Sequence, residues 1–152
     1  MFENVARDEI VEVVATAWET MLELQVETIA APEHDFDPVS GGSIRLGGPV
    51  PLSLLIEFDR GMADHAARRF FDIQEGEPSE DDITDAISEL INIIGGNILG
   101  LFGPSPGLGL PEVPSQTHPE ATGSDLRATF RAEDKAFRIE LSVIPSAGVE
   151  LT

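Results

Sequence analysis

The most regular hydrophobic pattern in the chain lies between Ile83 and Leu101. Apolar residues recur there at intervals of three and four, which places them on one face of an α-helix. They are Ile83, Ile87, Leu90, Ile91, Ile94, Ile98 and Leu101. Ser79, followed three residues later by Asp82, resembles a capping box that starts this helix, and Gly103-Pro104 ends it. The pattern predicts an amphipathic helix of about six turns with a buried apolar face.

Shorter patterns on either side of this helix predict further elements. Apolar stripes at helical spacing predict a first helix over residues 5–26 and a short helix over residues 61–71. Alternation of apolar and polar residues predicts strands at residues 43–46 and 52–58, and residues 108–113 are expected to be extended. The chain therefore mixes helices with short strands rather than repeating one type of element.

The C-terminal part of the chain predicts a β-hairpin. Residues 126–131 and 137–143 alternate apolar and polar side chains, and Glu133-Asp134-Lys135 makes the turn between them. A chain of 152 residues has the size of one domain, so we assign residues 1–152 to a single domain. The element order predicts an α/β (α+β) fold with a largely antiparallel mixed sheet and long helices packed on it.

The polar side of the longest predicted helix carries an unusual set of residues. At about 100° per residue, Asp85, Glu89, Asn92 and Gly96 fall on one stripe opposite the apolar face. Gly96 costs about 1 kcal/mol relative to alanine in a helix interior. The bare backbone at Gly96 would let another chain come close to Glu89 and Asn92. The alternative is that this stripe is only a solvated surface.

The stretch around this stripe resembles the CheX/CheC/FliY phosphatases of bacterial chemotaxis. Their motif has Asp or Ser, then Glu, then Asn at the spacing of Asp85, Glu89 and Asn92, with a proline further on. Pro111 and Pro114 are the candidates for that proline, and both lie nearer to Asn92 than is usual in the family. The chain carries one Glu-x-x-Asn, which resembles the single-site CheX type more than the two-site CheC type.

The resemblance implies a phosphatase that hydrolyses the aspartyl phosphate of a CheY-like response regulator. It implies that Asn92 orients the attacking water and that Glu89 pairs with the active-site lysine of the receiver domain. Asp85 would shape the docking face or bond locally, and the Gly96 side would allow close approach. The chain should need no cofactor of its own, because Mg²⁺ is supplied with the phosphorylated partner. A non-catalytic regulator-binding module of the same fold and a structural domain related to flagellar switch proteins are the alternatives.

The charge balance limits the classes of partner. The formal net charge is −19, which argues against nucleic acid and anionic membrane surfaces, because both are bound mainly through Lys and Arg. An acidic surface favours a partner with exposed basic groups, although it also serves solubility alone. The chain has no cysteine, so disulfides, thiolate metal sites and a thiol nucleophile are excluded.

Other sequence features indicate a cytoplasmic protein without a metal site. No apolar run reaches the roughly 18 residues of a membrane span, and the acidic N-terminus lacks the pattern of a signal peptide. His34 lies among acidic residues near Pro32 and Pro38, but one histidine in a loop is a poor metal signal. No Ser-His-Asp set occurs at a recognisable spacing.

The predicted hairpin also suggests how two copies of the chain could associate. We expect one of its strands to lie at a sheet edge, which offers unpaired backbone groups to a second chain. Resemblance to CheX implies a two-fold homodimer that extends the sheet, with the motif helices facing away from the interface. Like charge opposes association, and Arg127, Arg131 and Arg138 on the exposed face would relieve it locally.

Overall fold

A computed structural model describes residues 7–29, 37–47, 51–101 and 126–144 of the chain. These residues form three α-helices and five β-strands. In chain order they are α1 (Arg7–Leu22), β1 (Glu27–Ile29), β2 (Ser40–Leu46), β3 (Leu52–Phe58), α2 (Arg60–Phe71), α3 (Glu80–Leu101), β4 (Leu126–Ala132) and β5 (Lys135–Val143). The predicted mixed α+β fold with an antiparallel sheet is confirmed. The extended segment predicted at residues 108–113 lies outside the described residues.

The predicted helices and strands match the observed ones except near their ends. The first helix stops at Leu22, because Glu23 adopts a left-handed backbone with φ of 57°. The short helix begins one residue before the predicted start, where the Asp59 side chain accepts a hydrogen bond from the Met62 backbone N–H at 2.9 Å. The strand Leu52–Phe58 has the predicted bounds. The hairpin turn consists of Glu133 and Asp134, and Lys135 already belongs to β5.

The described sheet has five antiparallel strands in the order β1-β4-β5-β3-β2. β4 lies between β1 and β5, so the expectation that the hairpin contributes an edge strand is wrong for the part of the sheet that the structure describes. The reason is β1, whose three residues Glu27–Ile29 pair with Thr129, Phe130 and Arg131. So short a strand carries no alternation that would predict it. The homodimer stays a prediction.

One face of the sheet and the three helices enclose the hydrophobic core. Trp18 of α1 stacks on Phe137 of β5 with ring centroids 3.6 Å apart, and Phe137 stacks on Phe130 of β4 at 4.7 Å. The indole Nε1–H of Trp18 donates to Met62 Sδ of α2 at 3.3 Å. Aromatic burial of this kind dominates core energetics. These contacts fix α1 and α2 on the sheet, and α3 packs against both helices and against β2.

Candidate functional site

The helix that carries the predicted motif begins at the predicted capping box. The Ser79 backbone N–H donates to Asp82 Oδ2 at 3.2 Å, and the Asp82 backbone N–H donates to Ser79 Oγ at 3.0 Å. Two N–H groups that have no partner within the helix are thereby satisfied. Glu80, Asp81 and Asp82 place negative charge in the first turn, where the helix dipole favours it. These local contacts therefore determine the residue at which α3 begins. The starting residue in turn determines which residues of α3 face the core.

Replacing Ser79 tests this cap. Ser79→Ala should lower the free energy of unfolding by about 1 kcal/mol, because the Asp82 N–H would lose its acceptor. Urea denaturation of both proteins measures the difference. Glu75→Ala, an exposed change in the loop before α3, is a matched control that should change stability by less than about 0.5 kcal/mol. An equal effect of the two substitutions would contradict the capping role.

The apolar face of α3 sets which side of the helix reaches solvent. Its buried residues are Ile83, Ala86, Ile87, Leu90, Ile91, Ile94, Gly95 and Ile98. Burial of this face prevents the helix from rotating about its axis, since any rotation would expose isoleucine side chains. Asp85, Glu89, Asn92 and Gly96 are consequently exposed, as the pattern of the sequence predicts. We call these four residues the polar stripe.

Glu89 and Asn92 lie side by side on the polar stripe, since residues three apart are neighbours on a helix surface. Within the described part of the chain, neither side chain has a hydrogen-bond or ion-pair partner, and the same holds for Asp85. The alternative that Asp85 bonds locally therefore has no support among the described residues. The stripe presents a carboxylate and a carboxamide that are both available to another molecule.

Gly96 leaves an open patch one turn beyond Asn92. A Cβ atom built on Gly96 would meet nothing within 4 Å, and the same is true of Gly100 on the next turn. Packing among the residues that the structure describes therefore does not explain why a residue of low helix propensity occupies this exposed position. The main chain of α3 is open to close approach from outside at Gly96.

The chain's one lysine is engaged away from the polar stripe. Lys135, the only lysine, lies at the hairpin turn, with its Nζ 3.2 Å from Glu133 Oε1 and 3.5 Å from Asp134 Oδ1. Desolvation, the largest single influence, lowers the pKa of Lys135, but hydrogen bonds and charges of Glu133 and Asp134 outweigh it and raise the pKa. A lysine that pairs with Glu89 must therefore come from another protein.

The small basic patch of α2 is part of the chain's own packing. Arg68 Nε lies 2.6 Å from Asp64 Oδ2, and Arg69 contacts Glu23 at 3.0 Å. His65 Nε2 lies 2.9 Å from the Leu22 carbonyl oxygen at the end of α1. These contacts show that the basic side chains of α2 bind groups of the chain itself.

The described residues contain neither a cluster of metal ligands nor a helix that could span a membrane. No group of three or more His, Asp or Glu side chains among them could hold a metal ion. No described helix is long and apolar enough to cross a membrane. His34 lies outside the described residues.

Comparison with known families identifies a match over most of the described fold. The family described as "Chemotaxis phosphatase CheX" matches residues 40–131, which include β2, β3, α2 and α3 with the polar stripe. No curated protein sequence matches the chain.

Solved structures of chemotaxis proteins share the fold across nearly their whole length. CheX from Vibrio vulnificus aligns with a TM-score of 0.70 and 19% identity, covering 90% of this chain and 95% of that one. A CheC-like chemotactic protein from Shewanella oneidensis gives 0.67 and 20%, covering 93% and 98%. A CheX–CheY–BeF3–Mg²⁺ complex from Borrelia burgdorferi gives 0.61 and 11%, covering 90% and 96%. At these identities the likeness shows the fold.

Proposed function

Because the chain belongs to the CheX family of chemotaxis phosphatases, we propose that it hydrolyses the aspartyl phosphate of a CheY-like response regulator. One observation carries the proposal: Glu89 and Asn92 stand together, exposed and without partners among the described residues, on a helix whose rotation is fixed by its buried face. Side chains that served only solubility would not need to be held in one orientation relative to each other.

Asn92 performs the step that the receiver domain cannot perform efficiently by itself. An acyl phosphate on a receiver aspartate has a lysine and Mg²⁺, both brought by the partner, to balance the charge of the transferring group. It lacks a water molecule held in line with the breaking bond. The Asn92 carboxamide oxygen can accept a hydrogen bond from that water, and its NH₂ group can donate one. Holding the water in this geometry lowers the barrier by positioning.

Glu89 holds the partner in register with Asn92. Its carboxylate has no cation of its own among the described residues and is free to pair with the active-site lysine of the receiver. The charged pair would be largely shielded from water once the two proteins meet, which strengthens it. Asp85, one turn earlier and also exposed, shapes the docking face, and Gly96 allows the receiver backbone to approach.

The partner assignment has support from the fold comparison. One of the similar structures is a complex of a CheX with a CheY that carries BeF3 and Mg²⁺. The acidic character of this chain, with a net charge of −19, suits a partner that presents a lysine. We expect Mg²⁺ to enter with the phosphorylated receiver and the reaction to take place in the cytoplasm.

A non-catalytic adaptor of the same fold is the second candidate. It is favoured by the short interval between Asn92 and the candidate motif prolines, Pro111 and Pro114, which differs from the family's usual spacing. Such a module would bind the receiver through the polar stripe without placing the water.

The phosphatase and the adaptor differ in whether one molecule of the protein dephosphorylates many receiver molecules. Each receiver domain encoded in the same genome is phosphorylated with acetyl phosphate, and decay is followed after adding this protein at one-tenth of the receiver concentration. The phosphatase predicts that decay of at least one receiver accelerates through many turnovers. The adaptor predicts binding, seen by titration calorimetry, with an unchanged rate of decay.

Gly96 offers a test in which stability and activity move in opposite directions. Gly96→Ala should raise the free energy of unfolding by up to about 1 kcal/mol, because the new Cβ meets no atom and alanine favours the helix. The same change should raise KM for the phosphorylated receiver, since a side chain then separates the two backbones. Thermal melts and steady-state kinetics measure the two effects.

Gly100→Ala is the matched control, because it is equally exposed but lies about 6 Å further from Asn92 along the helix. Gly100→Ala should raise the free energy of unfolding about as much as Gly96→Ala does. It should raise KM for the phosphorylated receiver less. A Gly96→Ala protein that is stabilised and keeps its KM would show that close approach at Gly96 plays no part in docking.

A further inference from the structure

A groove runs between α1 and α3 beside the polar stripe. Its volume is about 660 Å³, and its floor consists of Val13, Ala17 and Met21 from α1 with Ile93 and Leu101 from α3. Four of these five side chains are only half-buried, so the floor exposes apolar surface. We call this feature the α1–α3 groove. Apolar surface in a concave site favours an apolar occupant, because its burial removes area from water on both partners.

The rim of the α1–α3 groove is acidic. Glu9 and Glu12 line it on the α1 side, together with Thr16 and Thr20, and no Lys, Arg or His is among the residues that line it. The carboxylate of Glu9 in the first turn suits the dipole of its own helix. Glu12 lies beyond the first turn, where that stabilisation has largely faded, and its exposed charge is directed to the groove. An occupant with a positive charge beside its apolar part matches this rim.

The groove and the polar stripe form one continuous surface. Ile93 and Asn97 line the groove and directly follow Asn92 and Gly96 in sequence. At about 100° per residue, Gly96 lies about 40° round the helix from Asn92, and Ile93 about 100° round on the same side. Glu89 and the bare backbone at Gly96 therefore lie between Asn92 and the groove, so the polar stripe borders the groove directly. Packed helices lie about 8–10 Å apart, so the groove between α1 and α3 is narrow compared with a protein interface. A protein that contacts Asn92 on α3 therefore also covers the groove.

We propose that the α1–α3 groove binds an apolar side chain of the receiver domain, flanked by a lysine or arginine, while Glu89 and Asn92 engage the phosphorylated aspartate. The proposal rests on the proposed function and adds a second point of attachment that determines which receiver is accepted. A second copy of the chain is a poor occupant, because both copies would bring acidic surface to an acidic rim. An anionic lipid surface is disfavoured for the same reason.

Charge reversal at the rim tests the proposal. Glu12→Lys is compared with Glu19→Lys, which makes the same charge change at an exposed position of α1 that does not line the groove. The probe is the receiver that the protein dephosphorylates, activated with BeF3 and Mg²⁺. Glu12→Lys should weaken its binding about 5- to 10-fold more than Glu19→Lys. The value of kcat at saturating phosphorylated receiver should stay unchanged in both variants, because neither residue contacts the reacting atoms.

Filling the groove is the second test. Thr20 is exposed on the rim, so Thr20→Trp places a large ring over the groove without disturbing the core. It should weaken binding of the activated receiver by about 10-fold or more with an unchanged melting temperature. If both Glu12→Lys and Thr20→Trp keep phosphatase activity and bind the receiver with wild-type affinity, the proposed role of the groove is wrong. The proposed phosphatase function is not affected by that result. Light scattering shows whether either variant turns a dimer of the chain into a monomer. If it does while the affinity for the receiver stays unchanged, the groove binds a second copy of the chain and the proposal is overturned.

Discussion

Asn92→Ala should lower kcat for dephosphorylation of the receiver by about 100-fold, equivalent to about 2.7 kcal/mol of transition-state stabilisation. The affinity for the activated receiver should change by less than about 3-fold. The reason is the proposed role of the carboxamide, which would act on the attacking water through a contact that is strongest in the transition state. Asn92 is exposed and has no partner among the described residues, so its truncation should leave the fold intact.

Two further variants define the role of the Asn92 amide. Asn92→Asp keeps the shape but removes the donor and adds negative charge, so its kcat should be as low as that of Asn92→Ala. Gln74→Ala removes an exposed amide from the loop before α3 and is the control for a general effect of amide loss. Single-turnover decay and binding titrations separate chemistry from docking. Full activity in Asn92→Asp would contradict the need for an amide that both accepts and donates.

Glu89→Ala should reduce kcat/KM by about 30-fold or more, with losses in both binding and rate. The carboxylate is expected to pair with the receiver's lysine, and removing one partner of a shielded charge pair costs about 2–5 kcal/mol. Because Glu89 is exposed on a helix, its removal should change the free energy of unfolding by less than about 0.5 kcal/mol. Glu80→Ala makes the same change on the exposed first turn of α3 and should leave receiver binding intact.

A double-mutant cycle identifies the partner of Glu89. Glu89→Ala and alanine at the receiver's active-site lysine are measured singly and together with the BeF3-activated receiver. Two residues in direct contact should show a coupling free energy of about 1.5 kcal/mol or more. Additive losses would show that Glu89 contacts something else.

The site helix could be predicted from the sequence because its determinants are local. The capping pair Ser79 and Asp82 and the spacing of the isoleucines define where α3 begins and which face is buried. Exposure of Glu89 and Asn92 then follows from helix geometry alone. The role of either residue does not follow from that geometry, and here the resemblance to a family added what the residues by themselves could not supply.

The start of β2 escaped prediction because glycines hide it. The strand begins at Ser40, three residues before the predicted start, and includes Gly41 and Gly42. Glycine is unfavourable in most strands, so the pair indicates a break in sequence. In the structure, a Cβ on Gly41 would lie 2.8 Å from the Ile56 carbonyl oxygen of β3. The close approach of the neighbouring strand requires glycine there.

The α1–α3 groove could not be found from the sequence at all. Met21 and Ile93 line it from helices that are far apart in the chain. Met21 has the spacing of an ordinary core position of α1, and Ile93 lies outside the predicted apolar face of α3. Only the packing of α1 against α3 leaves these side chains half-exposed in one concavity. The edge position expected for the hairpin failed for a related reason, because pairing of β1 with β4 is a long-range contact.

The most direct test of the account compares wild-type protein with the Glu89→Ala/Asn92→Ala double variant in the decay of a phosphorylated receiver. Both proteins are added at one-tenth of the receiver concentration, after thermal melts have shown that both are folded. The account predicts rapid multiple-turnover decay with the wild type and decay at the receiver's own rate with the double variant. Equal acceleration by the two proteins would contradict the assignment of the reaction to the polar stripe.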